Sequence, residues 1–381
     1  MAKEGYRVCT RCVMDSSDPG VTFDENGVCS SCTRYLEARA LSGYRPGVSE
    51  KELEHTVSVM KERSRGLAYD CILGISGGVD SAYMLSIACK LGLRVLAVHV
   101  DSGWNSETAV RNIERMCQKL GVQLHTYVVD WPTMKELQRA YMLSGVANLD
   151  VPQDHLFCAA VYQAARKYKV RYILNGSNLA TEGAAPPFTM QHSYRDTWHL
   201  NSIYRKHGRG KSLRKYPRLS LWEAWMGLPG VTKINLLDSV PYSKKEAIET
   251  LTREFGWEYY GGKHFESRFT KYFQSVYLPR KFGYDKRRYH LSCLVMNGEM
   301  TRAEALNELE QPPYPVEQQR EDEAYILKKL ELDPEEWQKI LNAPPTPDDA
   351  YFSQAKLFSL AQRLLGRKGL DRIKKKRYSV R

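Results

Sequence analysis

One short stretch of this 381-residue chain combines glycines, hydroxyls and a carboxylate: residues 76–81, Ser-Gly-Gly-Val-Asp-Ser. It follows the largely apolar run 69–75 and leads into a helix-like segment that extends to Leu91. Adjacent glycines let backbone N–H groups approach an anion, and the N-terminus of the following helix adds its dipole. The stretch therefore predicts a phosphate-binding loop; the alternative is a glycine turn that only joins a strand to a helix.

The loop differs from two common nucleotide-binding motifs. It has no lysine, so it is not the GxxxxGK[ST] loop that serves γ-phosphate transfer, and it lacks the GxGxxG spacing of dinucleotide-binding proteins. It resembles the SGGxDS pyrophosphate loop (PP-loop) of enzymes that cleave ATP between the α and β phosphates. Such enzymes adenylate a carbonyl oxygen, and ammonia or sulfur then displaces AMP. The resemblance implies that ATP is a substrate, with AMP and pyrophosphate as products.

A second pattern lies near the N-terminus, where Cys9 and Cys12 are followed, after sixteen residues, by Cys29 and Cys32. Two CxxC pairs can place four thiolates around one tetrahedral ion, and so short a segment lacks the apolar surface to fold without it. The spacing predicts a zinc ribbon with structural Zn²⁺, against the alternatives of an iron site or two free dithiols. We expect the ribbon to be a scaffold.

Alternating strands and helices must position these groups. Strands are predicted at 69–75, 95–100, 122–129, 171–174 and 233–237, with helices at about 49–63, 107–120, 159–168 and 243–255 and a less regular stretch at 131–158. This order predicts an α/β fold, a doubly wound parallel sheet of the PP-loop (adenine nucleotide α-hydrolase-like) kind, over residues 46–260. The ribbon (1–45) precedes it and a helical, basic-tailed C-terminal region (261–381) follows. Residues 184–230 break the pattern and are predicted to be an insertion over the cleft.

Composition constrains partners and compartment. The chain is 43% hydrophobic, carries a formal net charge of +12, and has no apolar run of the roughly 18 residues that span a bilayer. Nine cysteines in an intracellular chain favour metal ligands or free thiols over disulfides. We expect a cytoplasmic protein without a membrane partner. The positive charge favours an anionic ligand such as ATP, and a nucleic acid is the less favoured partner.

Three segments after the predicted sheet make the resemblance more specific: 260–267, 269–274 and 281–292. Together with the ribbon, the loop and residues 175–182, they resemble the N-acetyl sugar amidotransferases of bacterial surface-polysaccharide synthesis, the LPS biosynthesis protein WbpG type, over most of residues 5–315. The resemblance implies that ATP adenylates the acetamido oxygen of a nucleotide-linked N-acetyl sugar in O-antigen synthesis. Ammonia would then replace AMP and leave an acetamidino group.

The source of ammonia must lie outside this chain. No cysteine occupies position 2, and none lies in a GxCxG elbow of the kind that glutaminases use. The resemblance implies a separate glutaminase with a cyclase-like companion.

Site residues follow from the motifs and the resemblance. For ATP and pyrophosphate they are Ser76, Gly77, Gly78, Asp80, Ser81, Asp101, Gly103, Gly176, Ser177 and Asn178. Asp80 is also the expected Mg²⁺ ligand, because a carboxylate beside a triphosphate requires a bridging cation. The catalytic candidates are Asp80, Ser81, Lys271 and Lys286, and the substrate candidates are Asn175, Glu182, Lys281, Arg287, Arg288 and His290. For the basic residues, a solvated surface is the alternative.

Two other functions remain open on sequence grounds. A tRNA-thiolating PP-loop enzyme also combines a cysteine ribbon, this loop and a basic surface. Sulfur transfer, however, requires a catalytic dithiol or a cluster held by several cysteines, and outside the ribbon only Cys158 and Cys293 fall off the predicted core elements. A nucleotide-binding scaffold without turnover would leave the cleft insertion unexplained.

Overall fold

The computed structural model describes residues 5–183, 192–355 and 357. Within them, five parallel strands form one sheet in the order β3-β2-β1-β4-β5. The strands are β1 (Cys71–Gly74), β2 (Val95–Asp101), β3 (Gln123–Val128), β4 (Tyr172–Leu174) and β5 (Thr232–Ile234). The predicted doubly wound parallel sheet is confirmed. The predicted fifth strand is too long, because Leu236–Ser239 form a 3₁₀ turn.

The described helices lie before, between and after the strands. Up to β4 they are α1 (Ser30–Ser42), α2 (Ser49–Arg63), α3 (Val79–Lys90), α4 (Glu107–Leu120), α5 (Trp131–Ser144) and α6 (Val151–Lys167). After β4 they are α7 (Leu179–Glu182), α8 (Thr197–His207), α9 (Leu221–Met226), α10 (Lys244–Phe255), α11 (Arg268–Tyr272), α12 (Leu278–Phe282), α13 (Arg287–Asn297), α14 (Arg302–Glu310), α15 (Val316–Leu330) and α16 (Pro334–Asn342). A π-helical turn, Phe273–Tyr277, joins α11 to α12.

Both faces of the sheet are covered, because side chains alternate along each strand. On β1, Cys71 and Leu73 belong to a core that includes residues of α2, α3, α4 and α10. Ile72 belongs to the opposite core with residues of α6. The strand is therefore apolar on both sides, as buried parallel strands are.

The stretch 131–158, predicted to be less regular, forms helices instead. Pro132 and Pro152 lie in the first turns of α5 and α6, where a missing N–H costs nothing. The Asp130 side chain caps α5 by accepting from the N–H of Thr133 at 3.2 Å. The two prolines thus mark the starts of two helices.

The C-terminal helices share a core with the α/β region. Tyr141 of α5 and Leu200 of α8 lie in one apolar cluster with Phe273, Ile326 and Trp337 from the region after residue 261. The division at residue 261 stays a prediction about folding units. Among the described residues, no helix combines the length and apolarity that crossing a membrane requires.

The ribbon packs against α13 and α14. Tyr289 and Cys293 of α13 lie in one buried cluster with the four ribbon cysteines. Arg302 Nε donates to the carbonyl oxygens of Cys9 and Cys12, both at 3.0 Å. These contacts join two ends of the sequence and fix the orientation of α13.

Candidate functional site

The glycine loop runs from the end of β1 to the start of α3, as predicted. Gly77 has φ +82°, and a Cβ there would lie 2.5 Å from the carbonyl oxygen of Ala109, so only glycine fits. Trp257 Nε1 donates to the Gly77 carbonyl at 3.1 Å, and Ser81 Oγ donates to that of Gly78 at 3.1 Å. The Trp257 hydrogen bond, the hydrogen bond within the loop and the α4 backbone packed beside Gly77 therefore hold an anion-binding backbone open at a helix N-terminus.

Three adjoining cavities are lined by described residues around this loop. The loop cavity, about 240 Å³, is lined by Ser76, Gly78, Asp80 and Ser81 together with Asn175, Gly176, Ser177 and Glu182. The strand-end cavity, about 310 Å³, is lined by Val98, His99 and Val100 of β2 and by Asn105, Asp150, Asp154 and Phe157. The basic cavity, about 440 Å³, is lined by Lys244, Lys245, Lys271, Arg287, His290 and Tyr259, among others.

Four ionisable side chains are among the residues that line more than one of these cavities. Lys263 lines both the loop cavity and the basic cavity. His264 and Glu266 line both the loop cavity and the strand-end cavity, and Lys286 lines both the strand-end cavity and the basic cavity. Three of the four come from segment 260–267, which the sequence singled out as a motif without assigning its residues.

Lys263 is the charged centre of the loop cavity. Its Nζ lies 3.0 Å from Glu182 Oε1, 3.0 Å from Thr181 Oγ1 and 3.4 Å from Asp80 Oδ2. Burial alone would raise the pKa of Asp80, but Lys263 and the hydroxyl of Tyr242, which donates to Asp80, hold that pKa below its usual value. Two carboxylates from separate loops thus converge on one buried cation.

A second ionisable group lies at the strand-end cavity. Burial, reinforced by the neighbouring Asp154, raises the pKa of Asp150 to about 8. Burial likewise raises the pKa of Asp154 to about 6 and lowers that of Lys286. Asp150 Oδ1 accepts from Gln153 Nε2 at 2.7 Å and from Thr270 Oγ1 at 3.1 Å. Burial and the neighbouring Asp154 carboxylate therefore favour the protonated form of Asp150.

The basic cavity contains part of the predicted substrate set. Lys271, Lys286, Arg287 and His290 line it. Lys271 Nζ lies 2.7 Å from Asp322 Oδ2, and Arg287 is paired with Asp285 at 2.7 Å. Burial, together with the nearby Lys263, holds the pKa of His290 well below its usual value, so its ring is neutral.

Two predicted substrate residues lie elsewhere in the fold. Lys281 is buried, and its Nζ donates to the carbonyl oxygens of Ile340 and Ala343 at 2.6 and 2.8 Å, where α16 ends. Arg288 Nε lies 2.7 Å from Asp15 Oδ2, on the ribbon. Neither side chain lines the three cavities, because each is used in a tertiary contact.

Three predicted ATP-binding residues serve as turn or cap residues. Asp101 Oδ1 accepts from the N–H of Gly103 at 2.8 Å, and a Cβ on Gly103 would lie 2.7 Å from the Trp131 ring. Asn178 Oδ1 accepts from the N–H of Thr181 at 2.9 Å and caps α7. None of the three lines the described cavities. Instead of Asp101 and Gly103, the earlier β2 residues Val98, His99 and Val100 line the strand-end cavity.

Several cavity residues were missed by sequence reasoning. Besides Lys263, His264 and Glu266 they are Lys244 and Asp150. The compact run Gly-Gly-Lys-His-Phe-Glu-Ser at 261–267 could have pointed to the first three, since it concentrates ionisable groups beside glycines. No residue of 192–230, which is part of the predicted cleft insertion, lines a described cavity. The rest of that insertion, residues 184–191, lies outside the part of the chain that the structure describes.

The four ribbon cysteines form a buried cluster whose Sγ atoms all lie within 4.8 Å of one another. The Cys9–Cys32 and Cys12–Cys29 Sγ distances are 3.8 and 3.6 Å. Four thiolates at about 2.3 Å from a tetrahedral Zn²⁺ would be about 3.8 Å apart, so the donor set fits this ion. Outside the ribbon, Cys158 and Cys293 are buried, and neither lines the three cavities.

Comparisons with known proteins match two parts of the chain. A family model described as LPS biosynthesis protein WbpG-like, C-terminal domain, matches residues 266–365, and one described as queuosine biosynthesis protein QueC matches residues 70–167. A tRNA(Ile)-lysidine synthase from Chlamydia pneumoniae is 33% identical over 60 residues, which are 15% of this chain. The chain spans about a fifth (19%) of the length of that curated relative.

Solved structures are similar over limited parts. A glutamine-dependent NAD+ synthetase from Acinetobacter baumannii is 26% identical over 33% of this chain and 24% of its own, with a TM-score of 0.27. An NMN synthetase from Francisella tularensis is 17% identical over 56% of this chain and 94% of its own, with a TM-score of 0.30.

Proposed function

We propose that this chain is an ATP-dependent N-acetyl sugar amidotransferase. The premise is that it is a PP-loop protein of the WbpG type, which its two family matches support. It would convert the acetamido group of a nucleotide-linked sugar to an acetamidino group in surface-polysaccharide (O-antigen) synthesis, releasing AMP and pyrophosphate. The observation that carries the proposal is the arrangement of the cavities: the loop cavity adjoins a larger basic cavity, with Lys263 in the wall between them.

The cavities suggest how the two substrates are held. The triphosphate would lie against the loop backbone, where the N–H groups and the α3 dipole favour an anion. The adenosine fits the strand-end cavity, whose walls include Val98, Val100 and Phe157. The phosphates of the sugar nucleotide fit the basic cavity beside Lys244, Lys245 and Lys271, with the acetamido group directed toward Lys263.

Mg²⁺ fits the donor set of the loop cavity. Asp80 and Glu182 offer carboxylate oxygens from two loops, and such oxygens are the protein ligands this ion prefers. When bound there, the ion would neutralise charge on the triphosphate. In this structure the Lys263 ammonium lies between the two carboxylates. With Mg²⁺ bound to those carboxylates, Lys263 would be free to contact phosphate oxygens.

The chain's own groups would then serve two steps. In the first, the acetamido oxygen attacks the α phosphorus, and the loop N–H groups with Lys263 stabilise the pyrophosphate that leaves. In the second, ammonia attacks the imidate carbon and AMP leaves. Activation is needed because an amide oxygen is a poor leaving group, whereas AMP is a good one.

We propose that a separate glutaminase with a cyclase-like subunit supplies ammonia in the cytoplasm. This supply is consistent with the absence of a glutaminase cysteine motif in the sequence. The buried positions of Cys158 and Cys293 favour amide activation over tRNA thiolation, which would require cysteines at the reacting centre.

The test is to incubate the protein with ATP, Mg²⁺, ammonium and a panel of UDP-linked N-acetyl sugars. We expect one sugar nucleotide to change mass by the replacement of O with NH, together with one AMP and one pyrophosphate per turnover. Omitting ammonium should abolish the mass change, and glutamine should not replace ammonium when this chain is alone. Formation of ADP and phosphate, or AMP without any modified sugar, would contradict the proposal.

A further inference from the structure

His264 has an unusual backbone for its position. Its φ is +66°, a left-handed conformation that costs a non-glycine residue energy. The other described non-glycine residues with positive φ, Lys169 and Glu331, lie one or two residues after the ends of helices α6 and α15, where such residues end a helix. His264 follows no helix; it lies in the wall between the loop cavity and the strand-end cavity. Helix termination therefore does not account for its conformation.

The His264 ring faces a carboxylate from its own segment. Nδ1 lies 3.7 Å from Glu266 Oε1, and the two residues line the same two cavities. Glu266 is beside the glycine loop, since a Cβ on Gly78 would lie 3.5 Å from Glu266 Oε1. Its other oxygen, Oε2, is buried without a hydrogen-bond partner among the described residues. An unpaired buried carboxylate oxygen is costly, and it indicates a group that expects a donor.

Ionisable groups from several elements surround the ring. His290 of α13 lies 5.3 Å away between ring centroids, and Lys286, next to the start of α13, lines the strand-end cavity with it. Asp150 and Asp154 face the same cavity from α6. Among these groups only His264 and Glu266 also line the loop cavity, where the α phosphate would lie. A general base that assists attack on the carbon joined to that phosphate must lie at the loop cavity.

We propose that His264, oriented by Glu266, is the general base of the ammonia-transfer step; this inference rests on the proposed function and names a residue for it. Ammonia attacks the carbon of the neutral adenylated imidate; a C–N bond forms, the C=N π pair moves onto the imidate nitrogen, and the tetrahedral adduct carries –NH₃⁺. His264 accepts one proton from that nitrogen and leaves –NH₂. The C–O bond then breaks, AMP leaves with the electron pair, and the amidine remains, while the imidazolium returns its proton to the amidine nitrogen.

The test separates the two half-reactions. Adenylation is followed by ATP–pyrophosphate exchange with the UDP-linked N-acetyl sugar and no ammonium, and the full reaction is followed by amidine formation. In His264→Asn, whose side chain tolerates a left-handed backbone, we expect exchange to persist and ammonia-dependent turnover to fall about 10²- to 10⁴-fold. Glu266→Gln should show a smaller loss in the same step. The matched control is His55→Asn, on the exposed side of α2, which should change neither step.

Each outcome decides something. Absence of exchange in the wild-type protein with every sugar nucleotide overturns the proposed function, and this inference falls with it. Wild-type exchange that is lost in His264→Asn together with amidine formation overturns this inference alone, because the residue would then serve ATP or sugar binding. Full amidine formation in His264→Asn also overturns it. His264→Gly, which removes the backbone strain, keeps the test valid if the asparagine variant folds poorly.

Discussion

Replacing Lys263 by methionine tests whether the loop cavity is built around a cation. The methionine side chain has a similar length and no charge, so the substitution removes the ammonium and keeps most of the volume. Lys263 is 13% exposed, and its partners Asp80 and Glu182 are 22% and 29% exposed. The variant therefore leaves two largely buried carboxylates without their cation.

The size of the effect follows from that burial. Removing one partner of a buried ion pair typically destabilises a protein by about 3–5 kcal/mol. We expect the lower end, about 3 kcal/mol, since both carboxylates retain some water contact and Asp80 keeps the hydroxyl of Tyr242. For a chain of this length that loss lowers the melting temperature by about 4 °C. Lys245→Met, at the exposed rim of the basic cavity, is the matched control and should stay within about 0.5 kcal/mol of wild type.

The pH dependence gives a sharper result. In the wild type, the pKa of Asp80 is lowered and that of Lys263 is raised, so their pairing stabilises the fold above the unfolded aspartate pKa of about 3.9 and below the unfolded lysine pKa of about 10.4. Without Lys263, burial raises the pKa of Asp80. The deficit of Lys263→Met should be largest near pH 8 and should shrink as the pH falls, disappearing only below the lowered pKa of wild-type Asp80, where that carboxylate is protonated in both proteins.

Thermal and denaturant unfolding across this pH range, without nucleotide, measure the deficit. Mg²⁺ should restore part of the lost stability in Lys263→Met and little in wild type, because the ion would enter the vacated position. The double variant Lys263→Met with Asp80→Asn should be more stable than Lys263→Met alone. A pH-independent deficit, or a double variant whose losses simply add, would refute the view that Lys263 neutralises these carboxylates.

Three further predictions concern the loop, the ribbon and the strand-end cavity. Asp80→Ala should abolish AMP formation while the sheet stays folded; normal turnover with a free energy of unfolding lowered by about 1 kcal/mol would instead mark a simple helix-start residue. Metal analysis should find one Zn²⁺ per chain, and a chelator should expose amides of the ribbon and α13 to hydrogen exchange while the sheet stays protected; an iron–sulfur signal would contradict this. Asp150→Asn should gain stability relative to wild type as the pH rises from about 5 to 9, because the folded wild type favours the protonated acid; a gain that does not vary with pH would contradict the burial argument.

Local patterns were sufficient for most of the architecture. Each predicted strand overlaps an observed one; β1, β2 and β4 are short, largely buried apolar runs, whereas β3 and β5 at the edges of the sheet are only partly buried. The glycine loop and the cysteine cluster were also readable, since their chemistry depends on residues close together in sequence. Residues 131–158 were predicted to be less regular, but Pro132 and Pro152 lie at positions where proline favours the start of a helix.

The composition of the cleft could not be predicted in this way. Lys263 is far from Asp80 and Glu182 in sequence and contacts them only in the folded chain. No local sequence pattern indicates these contacts. On α13, successive residues point about 100° apart, so Arg288 faces the ribbon while Arg287 and His290 face the basic cavity. The sequence shows a basic cluster there but does not show which way each side chain turns.

The packing of the ribbon on α13 and α14 has a consequence for synthesis on the ribosome. The cysteines are made early, but Arg302, which donates to two of their carbonyl groups, emerges about 270 residues later. At roughly 5–20 residues per second, the nascent ribbon waits on the order of 15 to 55 s for its partner. During that interval, tetrahedral metal ligation is the interaction available to keep the four thiols together and protected from oxidation. Cellular zinc supply would then affect the yield of folded protein more strongly than the stability of protein already made.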